Sequence, residues 1–359
     1  MKLTFRNIIL SPISLLYGIV TAVRNLLYNK ELLGSTRFNF PVISVGNITV
    51  GGTGKTPHVE FLIELLQAKY KVAVLSRGYK RRTKGFLLAS ENSNSQTIGD
   101  EPFQIYQKFK NTTVAVDEKR VHGIQQLKRI QPDINVVLLD DAFQHRAVNP
   151  GLKILLTDYS RLYIHDSLLP GGLLRECKSG SKRADIIIVT KCPPTISNVE
   201  IVSISNKLKP LPHQIIYFST IEYGELKPVF NADNMQKNDS NLKKTTILLV
   251  TGIVSPMPIV EHFRAANTHI ELLAFPDHHH FTTNNYSEIE QKFIHLQSDK
   301  KIILVTEKDA ARIVSSPNFP ESLKNCIYFL PIRIQFLQNK QTQFSQNVIN
   351  YVETYTRNS

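Results

Sequence analysis

The sequence predicts an α/β protein with a mainly parallel sheet flanked by helices, followed by a second, smaller α/β domain. Two observations predict this fold. Short apolar runs alternate with helical patterns along most of the chain, which is typical of parallel sheets whose strands are joined by helices. A glycine-rich turn that contains Gly54, Lys55 and Thr56 follows the first apolar run. Ligands bind at the carboxyl ends of the strands in such sheets, so the turn is expected at the ligand-binding edge.

The first strand, turn and helix have the pattern of a phosphate-binding loop, as in P-loop NTPases. The apolar run at 42–45 predicts the strand, and apolar residues at helical spacing follow at Val59, Leu62, Ile63, Leu66 and Tyr70. Glycines allow backbone N–H groups to face an anion, a lysine adds positive charge, and a threonine hydroxyl can ligate Mg²⁺. The predicted ATP-binding residues are Gly51, Gly52, Thr53, Gly54, Lys55 and Thr56.

Further apolar runs predict the remaining strands. In the first domain, expected at 31–224, they lie at 72–75, 113–116, 136–139, 154–156, 186–189 and 215–218. A polar segment predicts a linker at 225–244, and a smaller domain is expected at 245–340, with strands near 247–250, 270–275, 302–305 and 327–330. Apolar residues at helical spacing, Phe344, Val348, Val352 and Tyr355, predict a closing helix within 341–359.

Composition limits the classes of partner. The net charge of +13 and the pI near 9.5 favour an anionic partner, and nucleic acid, an anionic membrane surface and a phosphorylated substrate all fit. Cys177, Cys192 and Cys326 have no C-x-x-C spacing and are too few for a disulfide framework. They indicate a reducing compartment.

The N-terminal segment, 1–30, favours the membrane among these partners. Its apolar stretch between Arg6 and Arg24 falls short of the about 20 residues of a spanning helix, and Pro12 and Gly18 weaken it further. A helix lying in the membrane interface fits better, because the flanking cations suit anionic head groups: Lys2, Arg6, Arg24 and Lys30. A core helix and a signal peptide are the alternatives, although no clear small-x-small cleavage site precedes the loop.

Other residues have the chemistry of a catalytic site. The strand at 136–139 ends in Asp140 and Asp141, the pattern of a Walker B element that supports Mg²⁺, with an acidic turn as the alternative. From spacing alone, Asp100 is a helix N-cap, and Glu101 favours the positive end of the helix dipole. The histidines at 278–280 are interpreted as solvent-exposed loop residues. The basic loop at 77–82 either contacts phosphate or is solvated.

Taken together, these segments resemble the tetraacyldisaccharide 4′-kinase family, which phosphorylates an acylated glucosamine disaccharide of the lipid A pathway with ATP. The resemblance covers most of the chain and rests on segments at 44–57, 75–79, 99–102, 140–145, 169–176, 275–278 and 306–310. The family's loop has the same long glycine spacing. Two positions differ, because His280 is a third histidine and Leu173 stands where the family often has proline.

The resemblance implies a two-domain kinase on the cytoplasmic face of the bacterial inner membrane, attached by its N-terminal helix, with ATP and Mg²⁺ as cofactors. The implied acceptor is the 4′-hydroxyl of tetraacyldisaccharide 1-phosphate, and neither nucleic acid nor a protein partner is implied. Asp100 is implied as the base, held by a histidine that best matches His278, while Lys55 stabilises charge on the transferred group. Arg120 is implied near the phosphates. The implied Mg²⁺ shell contains Thr56, Glu101, Asp140 and Asp141.

Three alternatives fit parts of the sequence. A regulatory ATPase with a deviant Walker A motif carries a second lysine early in the loop, where this chain has Val50. A nucleic-acid-binding ATPase fits the net charge of +13 and gives no reason for the apolar N-terminus. An ordinary glycine-rich turn is the third alternative, because the chain has Thr49 where the strict G-x-x-x-x-G-K-[ST] spacing would require glycine.

Overall fold

The computed structural model describes residues 5–230, 245–277 and 279–356, which form two sheets. The helices are α1 (Phe5–Asn29), α2 (Lys55–Leu66), α3 (Ser95–Ile98), α4 (Asp100–Lys108), α5 (Arg120–Ile130), α6 (Asn198–Leu208), α7 (Met257–Ala265), α8 (Thr283–His295), α9 (Glu307–Val314) and α10 (Gln341–Thr356). Short 3₁₀ helices lie at Tyr163–His165, Lys178–Arg183 and Glu321–Leu323. The strands are β1 (Val42–Gly46), β2 (Val72–Ser76), β3 (Leu87–Leu88), β4 (Thr113–Val116), β5 (Val136–Asp140), β6 (Leu152–Asp158), β7 (Ile186–Thr190), β8 (Ile215–Tyr223), β9 (Lys227–Pro228), β10 (Thr246–Thr251), β11 (Ile270–Ala274), β12 (Lys301–Thr306), β13 (Ile327–Leu330) and β14 (Ile332–Phe336).

The first sheet has nine strands in the order β14-β8-β7-β6-β1-β5-β2-β4-β3. All but its two edge strands run parallel. The strands that follow β1 in the chain as far as β5 lie on one side of it, and β6, β7 and β8 lie on the other. The carboxyl end of β1 is therefore a topological switch point, where open α/β sheets bind ligands. The predicted mainly parallel α/β fold is confirmed.

Helices cover both faces of this sheet. Ile43 and Val45 of β1 lie in a buried apolar cluster with side chains of α2 and α10. Val42 lies in a second cluster with Ile124 and Leu127 of α5. Burial on both faces explains why the central strands read as continuous apolar runs rather than as alternating patterns.

The second sheet has five strands in the order β11-β10-β12-β13-β9, and only the edge strand β9 runs antiparallel to its neighbour. Helices α8 and α9 contribute side chains to the core on one face, and α7 contributes to the core on the other. We call the part of the chain that carries the first sheet the first domain and the part that carries this sheet the second domain.

Sheet membership departs from the boundaries predicted from composition. β9 belongs to the second sheet although it lies in the predicted linker 225–244, of which 231–244 lies outside the described residues. β14 pairs antiparallel with β8 of the first sheet, although it falls within 245–340. Phe344 of α10 then stacks on Phe336 of β14, with 4.2 Å between ring centroids. The chain therefore returns to the first domain after completing the second.

Candidate active site

The loop between β1 and α2 is rich in glycine and borders open space. Gly51 and Gly54 adopt φ values of 110° and 80°, which favour glycine. A Cβ added at Gly51 or Gly52 would meet nothing within 4 Å, so the loop borders open space. Gly54 is also the N-cap of α2, and helix N-termini attract anions. This geometry fits a phosphate group.

Side chains from other elements hold the loop from outside. Lys191 Nζ donates to the carbonyl oxygen of Gly52. Thr190 Oγ1 donates to that of Thr53 at 3.0 Å, and His58 Nδ1 lies 2.7 Å from that of Gly54. Lys191 also forms an ion pair with Asp158 at 2.9 Å. These contacts fix the loop before a ligand binds, which lowers the entropy cost of binding.

His58 contributes to this support as a neutral group. Burial lowers the pKa of His58 to about 4. Its Nε2 lies 3.1 Å from Ser219 Oγ. Since the Gly54 carbonyl can only accept, Nδ1 carries the proton and Nε2 accepts from the Ser219 hydroxyl. The surroundings therefore select one tautomer of the ring.

Two aspartates lie beside the loop at the end of the neighbouring strand. Asp140 ends β5, and Asp141 follows with a φ of 48°. Lys55 Nζ lies 3.7 Å from Asp141 Oδ1, and Arg175 Nη1 donates to both oxygens of that carboxylate at 3.0 and 3.1 Å. Asp140 Oδ2 accepts from Ser76 Oγ at 3.3 Å. Its other oxygen, Oδ1, is buried without a hydrogen-bond partner among the described residues.

The surroundings shift the pKa values of these two carboxyl groups in opposite directions. Burial, together with the negative charge of Asp141, raises the pKa of Asp140 to about 6. Burial also acts to raise the pKa of Asp141, but the charges of Lys55 and Arg175 outweigh it and hold that pKa below its usual value. A buried carboxylate oxygen with no partner is costly unless a cation binds it. Asp140 is therefore a candidate ligand of a divalent cation.

The residues present fit Mg²⁺ as that cation. Within the ranges that the structure describes, no cluster of three or more His, Cys, Asp or Glu side chains could hold a metal alone. Mg²⁺ is commonly bound by one or two carboxylates plus substrate phosphates, which matches Asp140 beside the phosphate loop. Thr56, the second residue of α2, has the hydroxyl for this site. The other two predicted ligands, Asp141 and Glu101, form ion pairs with protein cations.

Arg120 places a buried positive charge at the same site. It begins α5 and its Nη1 donates to the Asp117 carbonyl oxygen. Burial lowers the pKa of Arg120 to about 10, so the group stays protonated at neutral pH. Its Nε and Nη2 are buried and have no hydrogen-bond partner in the described part of the chain. Buried donors without partners favour binding of an anion, which is consistent with the predicted place near the phosphates.

Asp100 is in contact with the second domain. It is the first residue of α4, and Gly99, with a φ of 92°, is the N-cap. The N-cap predicted at Asp100 is therefore wrong by one residue, since this φ favours glycine and the Asp100 side chain points elsewhere. Arg312 of α9 donates to Asp100 Oδ2 at 2.6 Å, and Lys308 of α9 lies 2.8 Å from Glu101 Oε1.

The three consecutive histidines differ in their surroundings. His278 lies outside the described residues. The ring of His279 stacks on Phe275, with 4.8 Å between centroids, and its Nε2 lies 2.9 Å from Asn285 Oδ1. His280 is exposed. The interpretation as solvent-exposed loop residues is thus wrong for His279, because an aromatic contact and a hydrogen bond hold it.

Helix α1 is connected to the site through a buried carboxylate. Asn25 Nδ2 donates to Glu176 Oε2 at 2.9 Å. The other oxygen, Oε1, accepts from Gln144 and Arg183, both at 2.9 Å. Gln144 also donates to the backbone oxygen of Asn47 at 2.8 Å, at the start of the phosphate loop. A chain of hydrogen bonds therefore joins α1 to the loop.

Comparisons with known proteins identify the family. A family model described as tetraacyldisaccharide-1-P 4′-kinase matches residues 6–352. The chain belongs to this family. A tetraacyldisaccharide 4′-kinase of Bacteroides thetaiotaomicron is 51% identical over 98% of this chain and 94% of that protein, and one of Flavobacterium johnsoniae is 45% identical over 96% and 97%. The crystal structure of LpxK from Aquifex aeolicus in complex with ATP is 26% identical, with a TM-score of 0.73, and covers 96% of this chain and 99% of that one.

Membership of the tetraacyldisaccharide 4′-kinase family confirms the resemblance predicted from the sequence, and the chain is a kinase. Several residues that support its site were missed. Arg175, Glu176 and Lys308 lie in segments that carry the family resemblance, so their place in a motif was the available signal. Ser76 also lies in such a segment, 75–79, whereas the rest have no local signal: His58, Thr190, Lys191 and Arg312. Within the basic loop, Arg81 is buried in an ion pair with Glu118 at 2.6 Å, which is a structural role.

Proposed function

We propose that this protein transfers the γ-phosphoryl group of ATP to the 4′-hydroxyl of tetraacyldisaccharide 1-phosphate, giving the 1,4′-bisphosphorylated lipid A precursor. Family membership supports the reaction and the acceptor. The observation that carries the proposal is the open phosphate loop at the switch point of the sheet, beside a buried Asp140 oxygen that has no partner among the described residues. The alternative function of a regulatory ATPase would involve no acceptor substrate, and it does not explain why the chain belongs to a kinase family.

Lys55 and Arg120 bind the phosphates. Phosphoryl transfer depends mainly on positioning and on charges placed where negative charge develops. Lys55 is held near the loop by Asp141, and Arg120 has two buried donors without partners among the described residues. Asp140 and Thr56 would hold Mg²⁺, with Asp141 and Glu101 as further candidates for its shell. The ion would supply positive charge that offsets negative charge on the phosphate oxygens.

Asp100 acts as the base. It accepts the proton of the 4′-hydroxyl as that oxygen bonds to the γ-phosphorus and the bond to the leaving ADP breaks. His278 is the proposed partner of Asp100, on the family resemblance alone. The contact of Asp100 with α9 of the second domain supports a site to which both domains contribute.

The direct test is label transfer. Protein in detergent receives Mg²⁺, γ-labelled ATP and tetraacyldisaccharide 1-phosphate, and label is measured in the lipid phase. We expect labelled lipid from the wild type and a loss on the order of 10²–10⁴-fold in Asp100→Asn, with ATP binding retained. Asp133→Asn is the matched control, because Asp133 is an exposed aspartate. ATP hydrolysis without labelled lipid would contradict the proposal and favour the regulatory ATPase.

We further propose that α1 attaches the enzyme to the cytoplasmic membrane surface. Leu15, Leu16 and Val20 are 66%, 63% and 60% exposed. Among the described residues, one helical stretch, Leu10–Asn29, is long and apolar enough to cross a membrane. Its opposite side makes polar contacts with the first domain, which favours a helix lying in the interface over a spanning one.

Vesicle flotation tests this attachment. The Leu16→Glu/Val20→Glu variant is expected to stay with soluble protein, whereas the wild type floats with vesicles that contain anionic lipid. Val199→Glu is the matched control, because Val199 is 81% exposed on α6 of the first domain. Equal flotation of all three proteins would refute a membrane role for α1.

A further inference from the structure

A buried network of charges crosses the boundary between the two domains beside the proposed base. Arg312 Nη2 donates to Asp100 Oδ2 at 2.6 Å, and its Nη1 donates to Asp309 Oδ1 at 2.9 Å. All three residues are buried. Asp100 belongs to α4 of the first domain, while Asp309 and Arg312 belong to α9 of the second. The guanidinium therefore joins the proposed base to the second domain.

The orientation of the Arg312 guanidinium is itself fixed through Asp309. The second oxygen of Asp309, Oδ2, accepts from Thr251 Oγ1 at 3.0 Å, Gly252 N at 3.1 Å and Thr306 Oγ1 at 2.7 Å. Asp309 is thus anchored to the ends of β10 and β12. A planar guanidinium that bridges two carboxylates has little rotational freedom, so its position is set by the strand ends of the second domain.

Stability alone is a weak reason for this arrangement. Removing charges from water costs several kcal/mol per ion, and apolar side chains of similar size often stabilise a protein equally well. The network lies at the carboxylate that must meet the acceptor hydroxyl in a defined geometry. A second ion pair, Lys308 with Glu101 at 2.8 Å, joins the same two helices one residue further along α4.

We propose that Arg312 is a positioning residue of the phosphoryl transfer, holding one oxygen of Asp100 so that the carboxylate faces the acceptor hydroxyl. The proposal rests on the proposed function, in which Asp100 takes the hydroxyl proton. Misplacement of a reacting group by about 1 Å can cost on the order of 10²-fold in rate. Arg312 touches neither the hydroxyl nor the phosphate in this role, and it acts through Asp100.

Full-length Arg312→Gln and Arg312→Lys test this role in the lipid-labelling assay. Arg264→Gln is the matched control, since Arg264 is an exposed arginine in the last turn of α7 of the same domain. We expect kcat of Arg312→Gln to fall by about 10–100-fold, with KM for ATP and for the lipid unchanged. Arg312→Lys keeps one charged donor but cannot bridge two carboxylates, so its kcat should lie between those of Arg312→Gln and the wild type.

The outcomes separate the possible failures. Wild-type kcat in a folded Arg312→Gln overturns the positioning role, as does a loss that appears only in KM or in the melting temperature. If Arg312→Gln does not fold, Arg312→Lys decides: reduced kcat at unchanged KM supports the role, and wild-type kcat overturns it. A wild-type protein that labels no lipid, or an Asp100→Asn variant with wild-type kcat, overturns the proposed function instead.

Discussion

Burial of His58 makes the stability of the protein depend on pH below neutrality. The folded state lowers the pKa of His58 to about 4, whereas an unfolded chain binds this proton near pH 6.5. Between these values the unfolded state holds more protons than the folded state, so stability falls as the pH falls. The full loss, reached below the folded pKa, is about 3 kcal/mol at 1.36 kcal/mol per pKa unit, and about 2 kcal/mol is lost by about pH 5.

Urea unfolding of the wild type and of His58→Gln at neutral pH and at about pH 5 measures this contribution. The substitution itself costs stability at both pH values, because the contacts with the Gly54 carbonyl and with Ser219 change. The informative quantity is the difference between the two proteins, which should shrink by about 2 kcal/mol on going to the lower pH. A difference that stays constant would refute the assignment of His58 as a neutral buried group.

Three further predictions concern the phosphate loop and the closing helix. Gly46→Ala should cost about 1–3 kcal/mol of unfolding free energy, since its Cβ would lie 2.9 Å from the backbone nitrogen of Phe143, and Gly34→Ala, with open space around it, should not. Lys191→Met should weaken ATP binding, measured by calorimetry, by about 10-fold as the outer support of the loop is lost, and wild-type affinity would contradict this. Phe344→Ala should cost about 3–5 kcal/mol in urea unfolding, and a cost below about 1 kcal/mol would show that α10 is not part of the core.

The parallel strands could be predicted because burial on both faces leaves a local apolar run. The run at 113–116 became β4, Thr113–Val116, with the predicted bounds. The antiparallel edge strands could not be predicted in this way. β14 alternates exposed Arg333 with buried Ile334, and its partner β8 lies far away in the sequence. β9 has only two residues. Edge strands depend on pairing with distant segments, which a local pattern does not report.

The candidate site likewise contains residues that could be predicted from the sequence and residues that could not. The phosphate loop is one contiguous segment whose glycines, lysine and threonine follow a recognisable spacing, so its residues could be predicted. Its supports come from elsewhere, for example Lys191 against Gly52. Arg312 and Asp100 are 212 positions apart, and no spacing rule joins an arginine on one domain to an aspartate on another.

The return of β14 and α10 to the first sheet has a consequence for the order in which the protein folds on the ribosome. The strands β9–β13 are contiguous in the chain, so the second domain can fold as soon as they emerge. Tyr217 of β8 packs later, because its aromatic neighbours Phe336 and Phe344 are synthesised after the strands of the second domain. A nascent chain released before β14 would carry a finished small domain on an unfinished larger one. Such a fragment is expected to engage chaperones and proteases through the apolar surface around Tyr217.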